Sequence, residues 1–223
     1  DRLRSRGLGD VYKRQIYNIL SSFDSTAIAN LEAQGDKTLS AEVSGYEWAQ
    51  IIKYLQNNTR LNKLVLTETM ETPKGVPLAL CFTDGTPDTR EAIIAFKGTT
   101  GGDEWSDNVE GAILRDTPDQ IEALEFVQGL PYADITLTGH SKGGNKANYI
   151  TILCDKVTRC VGFDPQGFSQ LFLNDPKYSK RIEERASLIK NYSLSTDFVH
   201  ILLYELPGAK QIFCKGFGVD STG

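Results

Sequence analysis

The segment Gly139-His140-Ser141-Lys142-Gly143 has the residue types and the spacing that could make a serine reactive. It follows a short β-branched run at 135–138 and precedes a run with helical spacing at 142–153, so we expect strand, sharp turn and helix in that order. Glycines on both sides leave room for a serine in a strained conformation at the tip of the turn. The N-terminus of the following helix favours a developing oxyanion. The segment predicts a nucleophilic serine at Ser141, with an ordinary glycine-rich strand-to-helix turn as the alternative.

The elements that must position this serine are predicted from apolar spacing along the chain. Helices are expected over 16–34, 45–57, 117–128, 142–153 and 175–188. Strands are expected over 77–83, 92–96, 135–138, 157–163, 189–194 and 198–204. Strands that alternate with helices of this length predict an α/β fold with a mostly parallel sheet.

Three further segments suggest a family. Ala95-Phe-Lys-Gly-Thr-Thr100 ends a predicted strand, Glu104-Trp-Ser-Asp107 follows it, and Asn191-Tyr-Ser-Leu-Ser-Thr-Asp-Phe-Val199 lies near the C-terminus. Together with the serine segment they resemble the class 3, or fungal-type, lipases and their bacterial lipase-like relatives over residues 92–203. The usual leucine after the serine of that family is Lys142 here, which marks a divergent member. The resemblance implies an α/β-hydrolase-like three-layer sandwich with a mostly parallel central sheet.

The resemblance also implies roles for individual residues. Ser141 would be the nucleophile, and the backbone N–H groups of Thr99 and Lys142 would stabilise the oxyanion. Asp197 would orient the base, 56 residues after the serine and in the chain order of an α/β-hydrolase. Asp164 is the alternative acid, because it ends the predicted strand at 157–163. Trp105 and Asp107 are expected to brace the loop that carries Thr99.

The base is the difficulty, because the chain has two histidines, His140 and His200. His200 comes after the acid, as the order requires, but it lies three residues from Asp197 inside an apolar run. Acid and base usually occupy different loops, so this would be unusual geometry. His140 stands beside the nucleophile, where a packing role is expected. We therefore expect the histidine to lie beyond Gly223, with His200 as the alternative within the chain.

Neither end of the chain is expected to be a native terminus. Residues 1–15 carry five basic and two acidic residues without helical or strand periodicity, and they resemble translated adapter sequence. We expect this segment to be non-native and residues 16–223 to form a single hydrolase-like domain that is truncated at its C-terminus.

These residues predict a serine hydrolase of lipid or acyl esters that acts through a Ser-His-Asp triad, inactive or nearly so if the histidine is missing. Two alternatives remain: a catalytically inactive hydrolase-fold module used for binding, and a thioesterase or acyltransferase with the same nucleophile. The loop at 101–118 is polar, which favours small or polar esters over triglycerides.

Composition excludes several other classes. A net charge of −5 argues against nucleic acid as a partner, and no apolar run has the roughly 20 residues that span a bilayer. The four cysteines are widely spaced, which indicates free buried thiols. No zinc or calcium pattern is present, so neither a metal nor another cofactor is expected.

Overall fold

The computed structural model describes residues 15–40, 43–98, 114–195, 199 and 202–215. The chain divides into two compact units. One comprises Asp1–Glu68 and Phe82–Thr89, and the other Thr69–Cys81 and Arg90–Gly223. The single domain expected over 16–223 and the non-native character of residues 1–15 stay predictions.

The first unit is mainly helical. Helices α1 (Ile16–Leu20), α2 (Ser25–Glu32) and α3 (Gly45–Asn57) accompany an antiparallel pair, β1 (Thr38–Ser40) and β2 (Val43–Ser44), and a 3-10 turn at Leu61–Lys63. The one helix expected over 16–34 is interrupted, because the Asp24 carboxylate accepts the Ala27 N–H at 2.8 Å and begins a new helix there. The buried core of this unit is Leu20, Ile28, Ala49 and Ile52.

The second unit holds most of a seven-stranded sheet. Its strands are β3 (Val65–Glu71), β4 (Pro77–Thr83), β5 (Glu91–Phe96), β6 (Asp134–His140), β7 (Val157–Phe163), β8 (Ile189–Leu194) and β9 (Lys210–Cys214), in that spatial order. Each neighbouring pair from β5 to β9 is parallel. The predicted α/β fold with a mostly parallel central sheet, of α/β-hydrolase type, is confirmed.

Helices α4 (Pro118–Gly129), α5 (Lys142–Leu153), α6 (Gln170–Leu173) and α7 (Pro176–Arg185) belong to the second unit. Helix α4 starts as the sequence predicts, with a capping box between Thr117 and Gln120 and proline at its first position. Helix α5 packs on β5, β6 and β7, and α4 and α7 both contact it. Buried apolar side chains hold these layers together: Ile94, Ile135, Leu137, Ile150, Ile152 and Ile189.

Two predictions about elements are wrong. The strand expected over 198–204 is absent from the residues described there, where Val199 and 202–203 are turn-like and Tyr204 forms a single bridge to Phe168. The sheet is completed instead by β9. The helix expected over 175–188 ends at Arg185 and tightens into a 3-10 turn at Ala186–Leu188. Strand β3 and the short helix α6 were not predicted.

The parallel register brings the carboxyl ends of four strands to one edge. Phe96 lies opposite Gly139, His140 opposite Phe163, and Phe163 opposite Tyr192. The residues that follow β5, β6, β7 and β8 therefore meet at this edge, where ligands bind in open parallel sheets.

Candidate active site

Ser141 forms the turn between β6 and α5. Its backbone has φ 54° and ψ −122°, a conformation that non-glycine residues rarely adopt. The Ser141 N–H donates to the carbonyl of Phe163 at 3.0 Å. Its own carbonyl accepts the N–H groups of Asn145 at 3.0 Å and Gln166 at 3.3 Å. The surrounding hydrogen bonds thus hold a strained residue in a single position.

The neighbouring glycines are required by close backbone contacts. A Cβ atom at Gly139 would lie 2.4 Å from the carbonyl carbon and oxygen of Gly143, and one at Gly143 would lie 2.4 Å from the oxygen of Phe96. At Gly98, after β5, a Cβ would lie 2.7 Å from the oxygen of His140. A side chain at Gly139 would push α5 away from β6, and one at Gly143 or Gly98 would push the turn away from the end of β5.

The first residues of α5 complete the turn. Lys142 opens the helix and, like Ser141, is half-buried. Backbone N–H groups of a first helical turn point out of the N-terminus, which is the orientation that the predicted oxyanion role of Lys142 needs. His140 is exposed at the end of β6, so the packing role expected for it is not seen.

Asp164 follows β7 directly and is buried, with 6% of its surface exposed. Its φ is 41°, and its N–H donates to the Tyr192 carbonyl at 2.8 Å. One carboxylate oxygen accepts the N–H of Leu194 at 2.8 Å, which ties the end of β8 to the end of β7. The alternative acid therefore lies on the strand end next to Ser141, and part of its hydrogen-bonding capacity serves the sheet.

Five other predicted site residues lie outside the described part of the chain: Thr99, Trp105, Asp107, Asp197 and His200. Gly98, next to Thr99, and Val199, next to His200, are described. Ser195 follows β8, and its N–H donates to the Cys214 carbonyl at 3.0 Å. The roles expected of these five residues stay predictions.

A buried amide network behind the turn was missed by the sequence analysis. The Asn145 amide nitrogen donates to the carbonyls of Gln166 at 3.2 Å and Gly167 at 2.7 Å. Its oxygen accepts from Gln120 at 2.7 Å, and the Gln120 oxygen accepts the Thr117 N–H at 2.9 Å. This network joins α4, α5 and the segment after Asp164. The sequence offered one indication, a polar asparagine at position 145 of the predicted helix; that this helix is buried is known only from the structure.

An ion cluster also lies on the first turns of α5. The Asp119 carboxylate contacts the ammonium groups of Lys146 at 3.2 Å and Lys142 at 3.5 Å. Burial would raise the pKa of Asp119, but attraction to Lys146 and Lys142 outweighs it and holds the pKa below 3.8. Lys146 itself is only 5% exposed, so a charged group is buried one helical turn from the serine.

The described residues contain no group of three or more His, Cys, Asp or Glu side chains placed to hold a metal ion. None of the helices described is both long and apolar enough to cross a membrane.

A parallel sheet with a strand–serine–helix turn at its carboxyl edge is the architecture of the α/β-hydrolase-like class. A sequence profile described as a Tle-like phospholipase domain matches residues 36–215. The match covers most of the chain, and the chain belongs to this family. The predicted lipase-like relationship is thereby confirmed, and at the family level this is a lipase-like hydrolase domain.

Solved lipase structures are also similar, at low identity. The M37 lipase is 13% identical, with a TM-score of 0.44, over 82% of this chain and 69% of that chain. The propeptide complex of a Rhizomucor miehei lipase deletion mutant is 11% identical, with a TM-score of 0.37, over 87% of this chain and 62% of that one. No curated protein matches the sequence.

Proposed function

We propose that this protein hydrolyses lipid or acyl esters, with Ser141 as the nucleophile. The observation that supports the proposal most is the backbone of Ser141, at φ 54° and ψ −122° between a parallel strand and a helix N-terminus. Such strain is retained where function needs it. The family match to a phospholipase domain supports a lipid ester as the substrate.

In the proposed reaction the Ser141 Oγ attacks the ester carbonyl while a histidine removes its proton. The backbone N–H groups of Thr99 and Lys142 stabilise the oxyanion, and the alcohol leaves with the proton returned by the histidine. Water then releases the acid from the acyl-serine by the same steps. The histidine is either His200 or one supplied from outside residues 1–223. Asp197 orients it, with Asp164 as the alternative.

The nucleophile is tested with a short p-nitrophenyl ester and a fluorophosphonate probe. Ser141→Ala should lower turnover by at least about 10³-fold and remove labelling. Ser179→Ala, a matched change at an exposed serine of α7, should do neither. Equal labelling of wild type and Ser141→Ala would overturn the proposal, and so would equal turnover.

A second set of variants tests which residue acts as the base and which as the acid beside Ser141. Asp197→Asn should lower kcat far more than Asp164→Asn if Asp197 orients the base. His200→Ala should abolish turnover only if His200 is the base. Added imidazole should restore part of the activity of whichever form lacks its histidine, because a small base can occupy the vacated position. A larger loss in Asp164→Asn with a retained fold would reassign the acid.

A further inference from the structure

A short segment after β7, residues 166–168, is bonded to the backbone of the serine turn. The Gln166 N–H donates to the Ser141 carbonyl at 3.3 Å, and the same carbonyl accepts the Asn145 N–H at 3.0 Å. Asp164, the alternative acid, lies two residues before the segment. A displacement of residues 166–168 would therefore disturb both the backbone around the nucleophile and the end of β7.

On its other side the same segment is paired with residues 202–204. The Gly167 N–H donates to the Leu202 carbonyl at 2.9 Å, and Phe168 and Tyr204 exchange backbone hydrogen bonds of 2.8 and 3.1 Å. A Cβ atom at Gly167 would lie 2.5 Å from the Tyr204 oxygen, so the two backbones are in close contact. Residues 202–204 follow the predicted acid and base closely in the sequence. The segment thus links the nucleophile to the chain that comes after those two residues.

The side chain of Asn145 holds this segment from α5. It is 7% exposed, and its amide nitrogen donates to two consecutive carbonyls, those of Gln166 at 3.2 Å and Gly167 at 2.7 Å. Its oxygen accepts from the Gln120 amide at 2.7 Å. A carbonyl can only accept a hydrogen bond, so the two carbonyls fix which end of the Asn145 amide is the nitrogen. Both donors and the oxygen of this buried amide therefore have partners.

The carbonyls that Asn145 binds belong to the same peptide units that pair with residues 202–204. The carbonyl of Gln166 and the N–H of Gly167 share one planar unit, and the carbonyl of Gly167 and the N–H of Phe168 share the next. Asn145 therefore holds one edge of each unit, and residues 202–204 hold the opposite edge. Without the amide, both units could rotate to find other donors for their carbonyls, and their bonds to residues 202–204 would weaken at the same time.

We propose that Asn145 is a positioning residue for the ester reaction. Its amide sets where residues 166–168 lie relative to Ser141, and through them the spacing between the nucleophile and the chain that follows the predicted base. The inference rests on the proposed function, because positioning matters only if Ser141 reacts. Asn145 acts through the segment and not on the ester itself. A misplacement of about 1 Å at a reaction centre can cost about 10²-fold in rate, even when the mutated residue is distant from the chemistry.

The turnover test compares Asn145→Leu with Asn148→Leu in the full chain, since leucine keeps the branching of asparagine and removes its donors. Asn148 is the matched control: it is a buried asparagine of the same helix, and its amide donates to Asn191 of β8 at 3.2 Å. With a short p-nitrophenyl ester, Asn145→Leu should lower kcat about 10²-fold and leave KM within about threefold. Asn148→Leu should keep kcat within about threefold of wild type, although both changes should lower Tm. Circular dichroism at the assay temperature checks that each variant is folded.

Hydrogen exchange followed by NMR tests the hold on the segment without turnover. Asn145→Leu should speed exchange of the backbone amides of residues 166–168 by about tenfold or more, and Asn148→Leu should leave their exchange unaltered. Gln120→Met decides the test if Asn145→Leu does not fold. It removes the donor that orients the Asn145 oxygen, and it should lower kcat about tenfold at an unchanged KM.

An unchanged kcat in folded Asn145→Leu overturns the positioning role, even where Ser141→Ala abolishes turnover and the proposed function stands. Equal falls in kcat for Asn145→Leu and Asn148→Leu also overturn it, because general loosening of α5 would then be the cause. A higher KM at an unchanged kcat overturns it as well, since Asn145 would then contribute to substrate binding alone. Faster exchange confined to the Asn145 variant, in a protein whose wild type does not hydrolyse the ester, supports the hold of Asn145 on the segment and contradicts the proposed function.

Discussion

Gly143 is, with Gly139, one of the two positions of the serine turn where a Cβ atom would lie 2.4 Å from backbone. Its Cβ would meet the backbone oxygens of Phe96 at 2.4 Å and Lys97 at 2.8 Å, and backbone atoms of a central strand cannot move aside cheaply. We expect Gly143→Ala to lower the free energy of unfolding by about 2–3 kcal/mol. Urea denaturation followed by circular dichroism measures the change.

Gly129 supplies the matched control for that substitution. It ends α4, and a Cβ there meets no atom within 4 Å. Gly129→Ala should therefore be neutral or stabilising by up to about 1 kcal/mol, since it reduces the freedom of the unfolded chain. If Gly143→Ala and Gly129→Ala changed the free energy of unfolding equally, close backbone contacts would not be the reason for glycine at position 143.

Asp119 makes the stability depend on pH. Its folded-state pKa lies below the ordinary value of 3.8, so its contribution is complete above that pH and is lost as the pH falls through the lower, folded-state value. At pH 7, Asp119→Asn should cost about 1 kcal/mol, a modest figure because the carboxylate is half exposed and screened. The difference from wild type should begin to shrink as the pH falls below 3.8 and should disappear once the pH lies below the folded-state pKa.

The control for the pH experiment is Asp88→Asn, at an exposed position. It should lie within about 0.5 kcal/mol of wild type. A difference between Asp119→Asn and wild type that does not shrink as the pH falls below 3.8 would show that the charge of Asp119 is not what stabilises the lysine pair.

At the scale of residues, the sequence predicts features that depend on neighbouring residues and misses contacts between residues that are distant in the chain. The conformation of Ser141 depends on glycines two residues away, so spacing alone indicated a sharp turn. Asn145 finds Gln120 at a separation of 25 residues and Gln166 at 21. The sequence near Gln120 and Gln166 does not indicate these bonds, because residue type alone does not distinguish a buried amide side chain from an exposed one.

Two side chains of α7 hold the C-terminus of α5: Arg181 donates to the Ile152 carbonyl at 3.1 Å, and Arg185 makes the larger set of bonds. Arg185 donates to the carbonyls of Thr151 at 2.7 Å, Cys154 at 2.8 Å and Val157 at 2.6 Å. The last carbonyls of a helix have no partner within it, and a guanidinium satisfies several at once. We expect Arg185→Met to lower stability by about 2–4 kcal/mol, measured as a fall in Tm and in the urea midpoint.

Two variants define the cause of that loss. Arg185→Lys should recover only part of the stability, because one ammonium group cannot reach carbonyls in three directions. Lys180→Met, on the same helix at 82% side-chain exposure, should change stability by less than about 0.5 kcal/mol. Full recovery by lysine would mean that charge alone, and not the planar donor set, holds α5.

Elements were predicted well where periodicity and caps agree. Helices α3 and α5 and strands β4, β7 and β8 have the predicted bounds. The prediction of a strand over 198–204 failed because an apolar run does not distinguish a strand from a half-buried turn. Strand β9 is only partly buried and begins with two polar residues, Lys210 and Gln211, so its pattern did not indicate a sheet member.

At the scale of the whole molecule, topology brings distant residues to one edge. Ser141 and Asp164 are 23 residues apart in sequence, yet they follow strands in register, with His140 opposite Phe163. The alternation of strands and helices predicted this gathering in outline, because parallel strands end at a common edge. The register itself, and the carboxylate of Asp164 bonding to β8, required the folded chain.

The four cysteines can be used to measure opening of the folded protein, because their side chains differ in solvent exposure. Cys81, Cys154 and Cys160 are buried and Cys214 is half-buried, and none of the four forms a disulfide. Burial also raises the pKa of the Cys160 thiol to about 12, so at pH 8 almost none of the reactive thiolate is present.

We therefore expect N-ethylmaleimide at pH 8 to add rapidly to Cys214 alone in the native protein, and to all four thiols in guanidinium chloride. Mass spectrometry counts the adducts, and Cys214→Ser should remove the rapid one. The three buried thiols then react only as fast as the protein opens, so their rate measures opening around the sheet. Rapid modification of Cys160 in the native state would contradict the packing of α5 on β7, since the Cys160 thiol lies buried at 3.3 Å from the Asn148 side chain of that helix.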